Sequence, residues 1–443
     1  MSRLILCAVV VLATAAAAAA QDLRVGAAAV AIEADDSMEI AGGIGPAHAV
    51  AQEGHLRATA VVLDKAPAKV AVVSCDVLFV GGDTADRAMA RIARESGIPP
   101  THVLISATHT HHAPSTTSIH GYGPDAVFVK RLEDAIVKAV HDADARLAGG
   151  ARFLFDLSEE KTVGQNSRLL LKDGSIYWVG PRDDAVGPTG PFDPQLPVLA
   201  FRDPKDRLLA VLFNHSTHTI GTRKPGVRSP GFYGLAAQEL EPELGTVCCF
   251  LEGASGSTHN LGTVTTAQAV DRLKDDVRGA LARAEARPVG RLVSAKRPFS
   301  FKVRTFDEAA EDRKVVEYCR KRAPAGAEFT AKIFRQMRSE LAPRQGEERR
   351  TTLQVILIGD VAIVGVPAEY FTGLGMDIKK RSPFPHTFVA ELANDWVGYL
   401  PDRQAHALGG YQTWMGLHSY AEVGTGERMA DEVIAMLDAL REL

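Results

Sequence analysis

Short apolar runs rich in β-branched residues recur from Ala58 to Ala393, with amphipathic stretches between them. This alternation limits the fold more than any other feature, because it is the pattern of strands covered by helices. Runs at 58–63, 70–80, 102–107, 152–157, 196–201, 208–214, 247–252, 292–303, 353–359, 361–366 and 386–393 read as strands. Helical periodicity covers 83–97, 125–147, 267–287 and 427–443. Turn residues at Pro204–Lys205 and Gly359–Asp360 predict two hairpins. The charged stretch 307–350 reads as one or two helices with solvated faces, an excursion from the sheet that could also cover a site. No internal repeat is visible. The expected fold class is α/β, a mixed β-sheet core with flanking helices.

Arg3 gives the chain a positive start, 4–12 is almost wholly apolar, and an alanine run ends at Ala20–Gln21. That order is a secretory signal peptide over residues 1–20, so residues 21–443 are expected to be exported, to the periplasm or beyond. No later stretch approaches the roughly 18–20 uninterrupted apolar residues of a membrane span. A net charge of -4 with no basic block argues against nucleic acid as a partner. Beyond Cys7 only Cys75, Cys248, Cys249 and Cys319 remain. They are too few for a disulfide scaffold and match no cysteine zinc spacing, although export permits one disulfide. Cys75, inside an apolar run, reads as a buried thiol.

The chemistry lies with histidine. Ser106-Ala-Thr-His109-Thr-His111-His112-Ala-Pro114 follows a strand candidate, and two histidines one residue apart on an extended segment project to the same side. A second cluster, His215-Ser-Thr-His218, closes the run 208–214. Two such clusters at strand ends favour a shared metal site, since imidazole is a common zinc ligand and α/β sites gather where strands finish. Glu369, in Val366-Pro367-Ala368-Glu369, is expected to begin a helix with Pro367 in its first turn. Two histidines and a glutamate form a known catalytic zinc set.

In this order, THTHxxP, NHxxH after a strand, GVPAEYF and ANDWVGYLPDRQAHALGGYQ resemble the neutral/alkaline non-lysosomal ceramidase family, from about Val25 to about residue 420. The resemblance implies a zinc-hydrolase-like catalytic domain over 21–443, without the family's C-terminal β-sandwich. It makes His109, His215, Glu369 and Tyr399 the zinc ligands, one ion per chain, and leaves His111 as the non-ligand histidine. Tyr411 matches a second active-site tyrosine, and Arg168 an arginine contacting the site. His218, Thr258 and His259 fall where substrate is expected. Calcium is allowed by the same analogy, but no ligands for it are identified. Ser115-Thr116-Thr117 replaces the usual glycines, and Ser229–Gly234 lacks a usual aspartate.

The activity implied is hydrolysis of a linear amide, with a small-molecule or lipid-like N-acyl amide as substrate. His111 would serve as general base and acid, and Tyr411 and Arg168 would stabilise the oxyanion. The same site could act on an ester, lactone or carbohydrate derivative. An extracytoplasmic binding protein without catalysis is the third reading.

Overall fold

The computed structural model describes residues 22–260, 262 and 264–442; the expected signal peptide lies outside the described residues. Three sheets carry the core, and one succession of elements builds each of them. The first sheet takes antiparallel strands Arg24–Ala31, Arg57–Lys65 and Ala68–Cys75. It crosses through helix α1 (Gly82–Ser96) to the parallel strand Val103–Ala107 and continues into α2 (Ala126–Ala145). The second runs Arg152–Glu159, Gln195–Arg202, Leu208–His215, α3 (Gly231–Leu244), parallel Cys248–Glu252 and α4 (Thr266–Arg283). Strand Glu285–Arg287 adds an edge to it.

The third sheet starts with Leu292–Lys302 and inserts α5 (Glu308–Arg322) and α6 (Ala327–Leu341). It returns as Glu348–Ile358 and Val361–Gly365, then crosses through α7 (Thr372–Arg381) to parallel His386–Ala390. The short α8 (Arg403–Leu408) and the long α9 (Thr425–Arg441) follow. A topology thus recurs three times although the residues do not repeat. It needs only alternating apolar positions and a crossover of helical length, which different residues supply. Both expected hairpins form, and Ile358 pairs with Val361 around Gly359–Asp360.

One face of each sheet turns to a shared interior, where Val61, Leu104, Leu199, Leu212, Ile356 and Ile363 meet. The opposite faces lie under helices: α1 and α2 on the first sheet, α3 and α4 on the second, α7 and α9 on the third. Period two sorts the side chains. Ala210 and Leu212 point to the interior, whereas Val211 and Phe213 point to α3 and α4.

The charged stretch folds into α5 and α6. Arg338 of α6 is fully buried and paired with Glu308 and Asp312 of α5. The apolar stripe of α6 carries Phe334 against the rings of Trp178, Tyr411, Trp414 and His418. The four cysteines among the described residues are free and buried. Among the described residues no helix is long and apolar enough to cross a membrane.

Candidate metal centre

Strand Val103–Ala107 stops two residues before His109, which adopts a left-handed backbone with φ of 59°. This bend, and not the strand alternation read from the sequence, turns His109 and His111 toward each other, with their Nε2 atoms 3.2 Å apart. Gly42 leaves room for His111: a Cβ there would lie 2.6 Å from its ring. His218 comes from the second sheet, three residues past the end of Leu208–His215. Its Nε2 lies 3.4 Å from Glu369 Oε2 and 3.0 Å from Tyr399 Oη. His109 Nε2 lies 3.5 Å from the same carboxylate oxygen. His109, His111 and His218 form a group able to hold a metal, with ligand atoms within 4.8 Å of one another.

Glu369 does not begin a helix. It sits in a two-residue strand, Glu369–Tyr370, that pairs in parallel with Tyr399–Leu400, and Glu369 and Tyr399 are direct partners in that ladder. The backbone of Glu369–Tyr370 is fixed by hydrogen bonds from Glu369 N to Gly398 O (3.1 Å) and from Tyr370 N to Glu391 Oε2 (2.7 Å). Helix α7 starts only at Thr372. Gly256 lets a loop approach: a Cβ there would lie 2.4 Å from the carbonyl oxygen of Glu369.

His215, expected as the second ligand, is held elsewhere. As the last residue of its strand it shares the face of Val211 and Phe213, which puts its ring under α3. There its Nδ1 lies 2.6 Å from Tyr233 Oη and its Nε2 3.1 Å from Glu160 O. His218, and not His215, lies beside His109, Glu369 and Tyr399.

The tautomers follow from the partners. Nδ1 of His109 faces Leu78 O at 3.2 Å, that of His111 faces Gly42 O at 3.1 Å, and that of His218 faces Ser255 O at 2.9 Å. A carbonyl only accepts, so each Nδ1 carries the proton and each Nε2 presents a lone pair. Three lone pairs and a carboxylate oxygen therefore converge in a buried space. Burial first, then the neighbouring imidazoles, push His109 and His111 well below the usual imidazole range, which opposes neutralising the cluster with protons. A divalent cation suits these donors. A tetrahedral ion with bonds of about 2.0–2.2 Å sets its ligand atoms about 3.3–3.6 Å apart. The separations of 3.4 and 3.5 Å from Glu369 Oε2 to His218 and His109 fall within that range, and Tyr399 Oη lies closer to His218, at 3.0 Å.

A cavity of about 570 Å³ opens onto this cluster, lined by His111, His218, His259, Tyr399, Tyr411 and Trp178 among others. Tyr411 stacks on Trp178 with centroids 4.5 Å apart and rings parallel within 2°, and its hydroxyl lies 3.1 Å from His120 Nε2. Burial, then the Glu369 charge, hold the hydroxyls of Tyr399 and Tyr411 well above the usual phenol range. His259 stacks on His218 at 4.9 Å. The Thr258 hydroxyl donates to Ser216 O at 2.8 Å. Arg168 is also spent internally. Its guanidinium donates to Gln412 Oε1, Ala405 O and Gly409 O at 2.8, 3.2 and 2.6 Å, so it anchors the loop that carries Tyr411.

No family model and no curated relative matches the sequence. Solved structures do. Neutral ceramidase from Pseudomonas aeruginosa aligns with a TM-score of 0.74 over 95% of this chain and 75% of that one, at 18% identity. A structure described as ceramidase complexed with C2 gives the same score and identity over 95% of this chain and 76% of its own. A TM-score of 0.74 over 95% of this chain shows a shared chain course: the protein has the neutral ceramidase fold.

Proposed function

We propose that this chain is a zinc-dependent hydrolase of linear amide bonds, in which His109, His218, Glu369 and Tyr399 hold the ion and His111 carries the proton. One observation carries the reading: three imidazole lone pairs and a carboxylate converge at the floor of a cavity, each Nδ1 locked onto a backbone carbonyl. A zinc ion held by these residues would supply Lewis acidity, polarising an acyl carbonyl and making water nucleophilic near neutral pH.

The remaining chemistry falls to the chain's own residues. His111 borders both the cluster and the cavity, and Gly42 O fixes its ring. Its Nε2 takes the proton from the attacking water and delivers it to the leaving amine. Tyr411, protonated and held flat against Trp178, donates toward the oxygen that gains charge in the tetrahedral intermediate. Arg168 acts at one remove, by fixing Gln412 and the loop before Tyr411. The ceramidase fold supports an N-acyl amide as the substrate class.

Purified chain is expected to bind about one zinc, to lose turnover of N-acyl amides with chelator and to regain it on zinc addition. His111→Ala should keep the ion and lose about 10²–10⁴-fold in kcat. Full activity in protein stripped of transition metal would contradict the reading.

A further inference from the structure

We infer that Trp396 is a positioning residue of the metal centre: its indole N–H holds one carboxylate oxygen of Glu369 so that the other is presented to the ion. The inference rests on the metal-centre reading above. Trp396 Nε1 donates to Glu369 Oε1 at 3.1 Å, while Oε2 is the atom that lies 3.5 and 3.4 Å from the imidazoles of His109 and His218. The terminal torsion of a glutamate is broad and nearly two-fold, so an unheld carboxylate exchanges its oxygens freely. Indole is a donor only and cannot compete for the ion. It is suited to fixing a ligand without becoming one.

The indole is itself fixed from two sides. Its ring stacks on Phe79 with centroids 4.1 Å apart and an 18° tilt, and Phe79 in turn lies 5.4 Å from the ring of His109. One aromatic pair therefore braces two ligands. On the backbone side, Asp395 Oδ1 accepts from the amides of Trp396 and Gly82 at 2.8 and 2.9 Å, and its Oδ2 accepts from Thr351 Oγ1 at 2.9 Å.

The chain leading to Trp396 is also held in an uncommon conformation. Leu392 and Asn394 have φ of 54° and 66°, the left-handed region that side chains disfavour. Such conformations persist where their surroundings over-determine them. Here Asn394 is clamped to Ile105 by two hydrogen bonds, its amide donating to the carbonyl at 2.7 Å and its Oδ1 accepting from the amide at 3.1 Å. The strained segment ends by delivering the indole N–H to Glu369.

Zinc dissociation constants, measured by chelator competition on the full chain, test this in Trp396→Phe, Glu369→Gln and the double variant, with metal-free melting temperatures as the folding control. Trp396→Phe should bind zinc about 10–100-fold more weakly than wild type. Because Trp396 acts through Glu369, adding Trp396→Phe to Glu369→Gln should cost nothing further. Wild-type affinity in Trp396→Phe, or an equal loss in both backgrounds, overturns the inference and leaves the metal centre standing. A wild-type chain that takes up no zinc overturns both. Should Trp396→Phe not fold, indole N–H resonances of the wild-type chain serve instead. The signal that remains in Trp178→Phe/Trp414→Phe should shift on zinc addition, and a stationary signal overturns the inference.

Discussion

His215 and His218 stand three residues apart, and their side chains enter different surroundings. His218→Ala should abolish stoichiometric zinc binding, read by metal analysis after gel filtration. His215→Ala should keep its zinc and lose stability, because Tyr233 Oη is left buried without its 2.6 Å partner. The expected loss is about 1–3 kcal/mol in denaturant unfolding. Here lies the boundary of what the residues reveal. The nearness of His109, Glu369 and Tyr399 was legible through the resemblance, because each stands in a distinctive short segment. The choice between His215 and His218 was not, because alternation ends with the strand and the turn beyond it sets its own directions. Arg168 was legible as a residue near the site, but its three backbone and amide acceptors belong to a loop no local pattern predicts.

Asp76 gives a residue-scale prediction in pH. Burial, opposed by the charge and backbone amide of Arg57, raises its pKa from 3.8 to about 7. The folded state therefore holds a proton that the unfolded state has released between those values. Stability from this group is present below 3.8 and is lost as pH rises through about 7. Asp76→Asn does not titrate. The stability of wild type relative to Asp76→Asn should fall, on the order of a few kcal/mol, between pH 4 and pH 8. A difference that stays flat across that interval contradicts the assignment.

Among the elements, the two-residue ladder of Glu369–Tyr370 against Tyr399–Leu400 does more for the site than its length implies, since it sets two proposed ligands side by side. It was unreadable in advance. So short a strand has no period, and the Pro-Ala-Glu sequence favours a helix start that backbone pairing to Gly398 overrides. Helices α5 and α6 show the reverse: their charges announced solvated helices correctly, while the few apolar positions that matter were diluted among them. Phe334 backs Tyr411, Trp178 and His418. Phe334→Ala should cost about 3–5 kcal/mol in unfolding free energy. It should also lower turnover while zinc content stays at wild-type level. Loss of zinc in parallel with turnover would mean that α6 supports the metal ligands themselves.

Across the whole molecule, the threefold recurrence explains how residues so distant in sequence meet. Each sheet ends in a parallel pair, and the proposed ligands leave the carboxyl ends of those strands: His109 after Val103–Ala107, His218 after Leu208–His215, Glu369 after Val361–Gly365 and Tyr399 after His386–Ala390. Alternating apolar runs and helical spacers made the α/β class readable. The recurrence itself was hidden, because equivalent positions need only be apolar and not identical. The proposed chemistry requires the four ligands to converge on one ion. Zinc-edge anomalous diffraction from crystals of the zinc-loaded chain measures this directly. The expected result is one peak about 2.0–2.3 Å from His109 Nε2, His218 Nε2, Glu369 Oε2 and Tyr399 Oη. A peak bound by His215, or none near these four atoms, would contradict it.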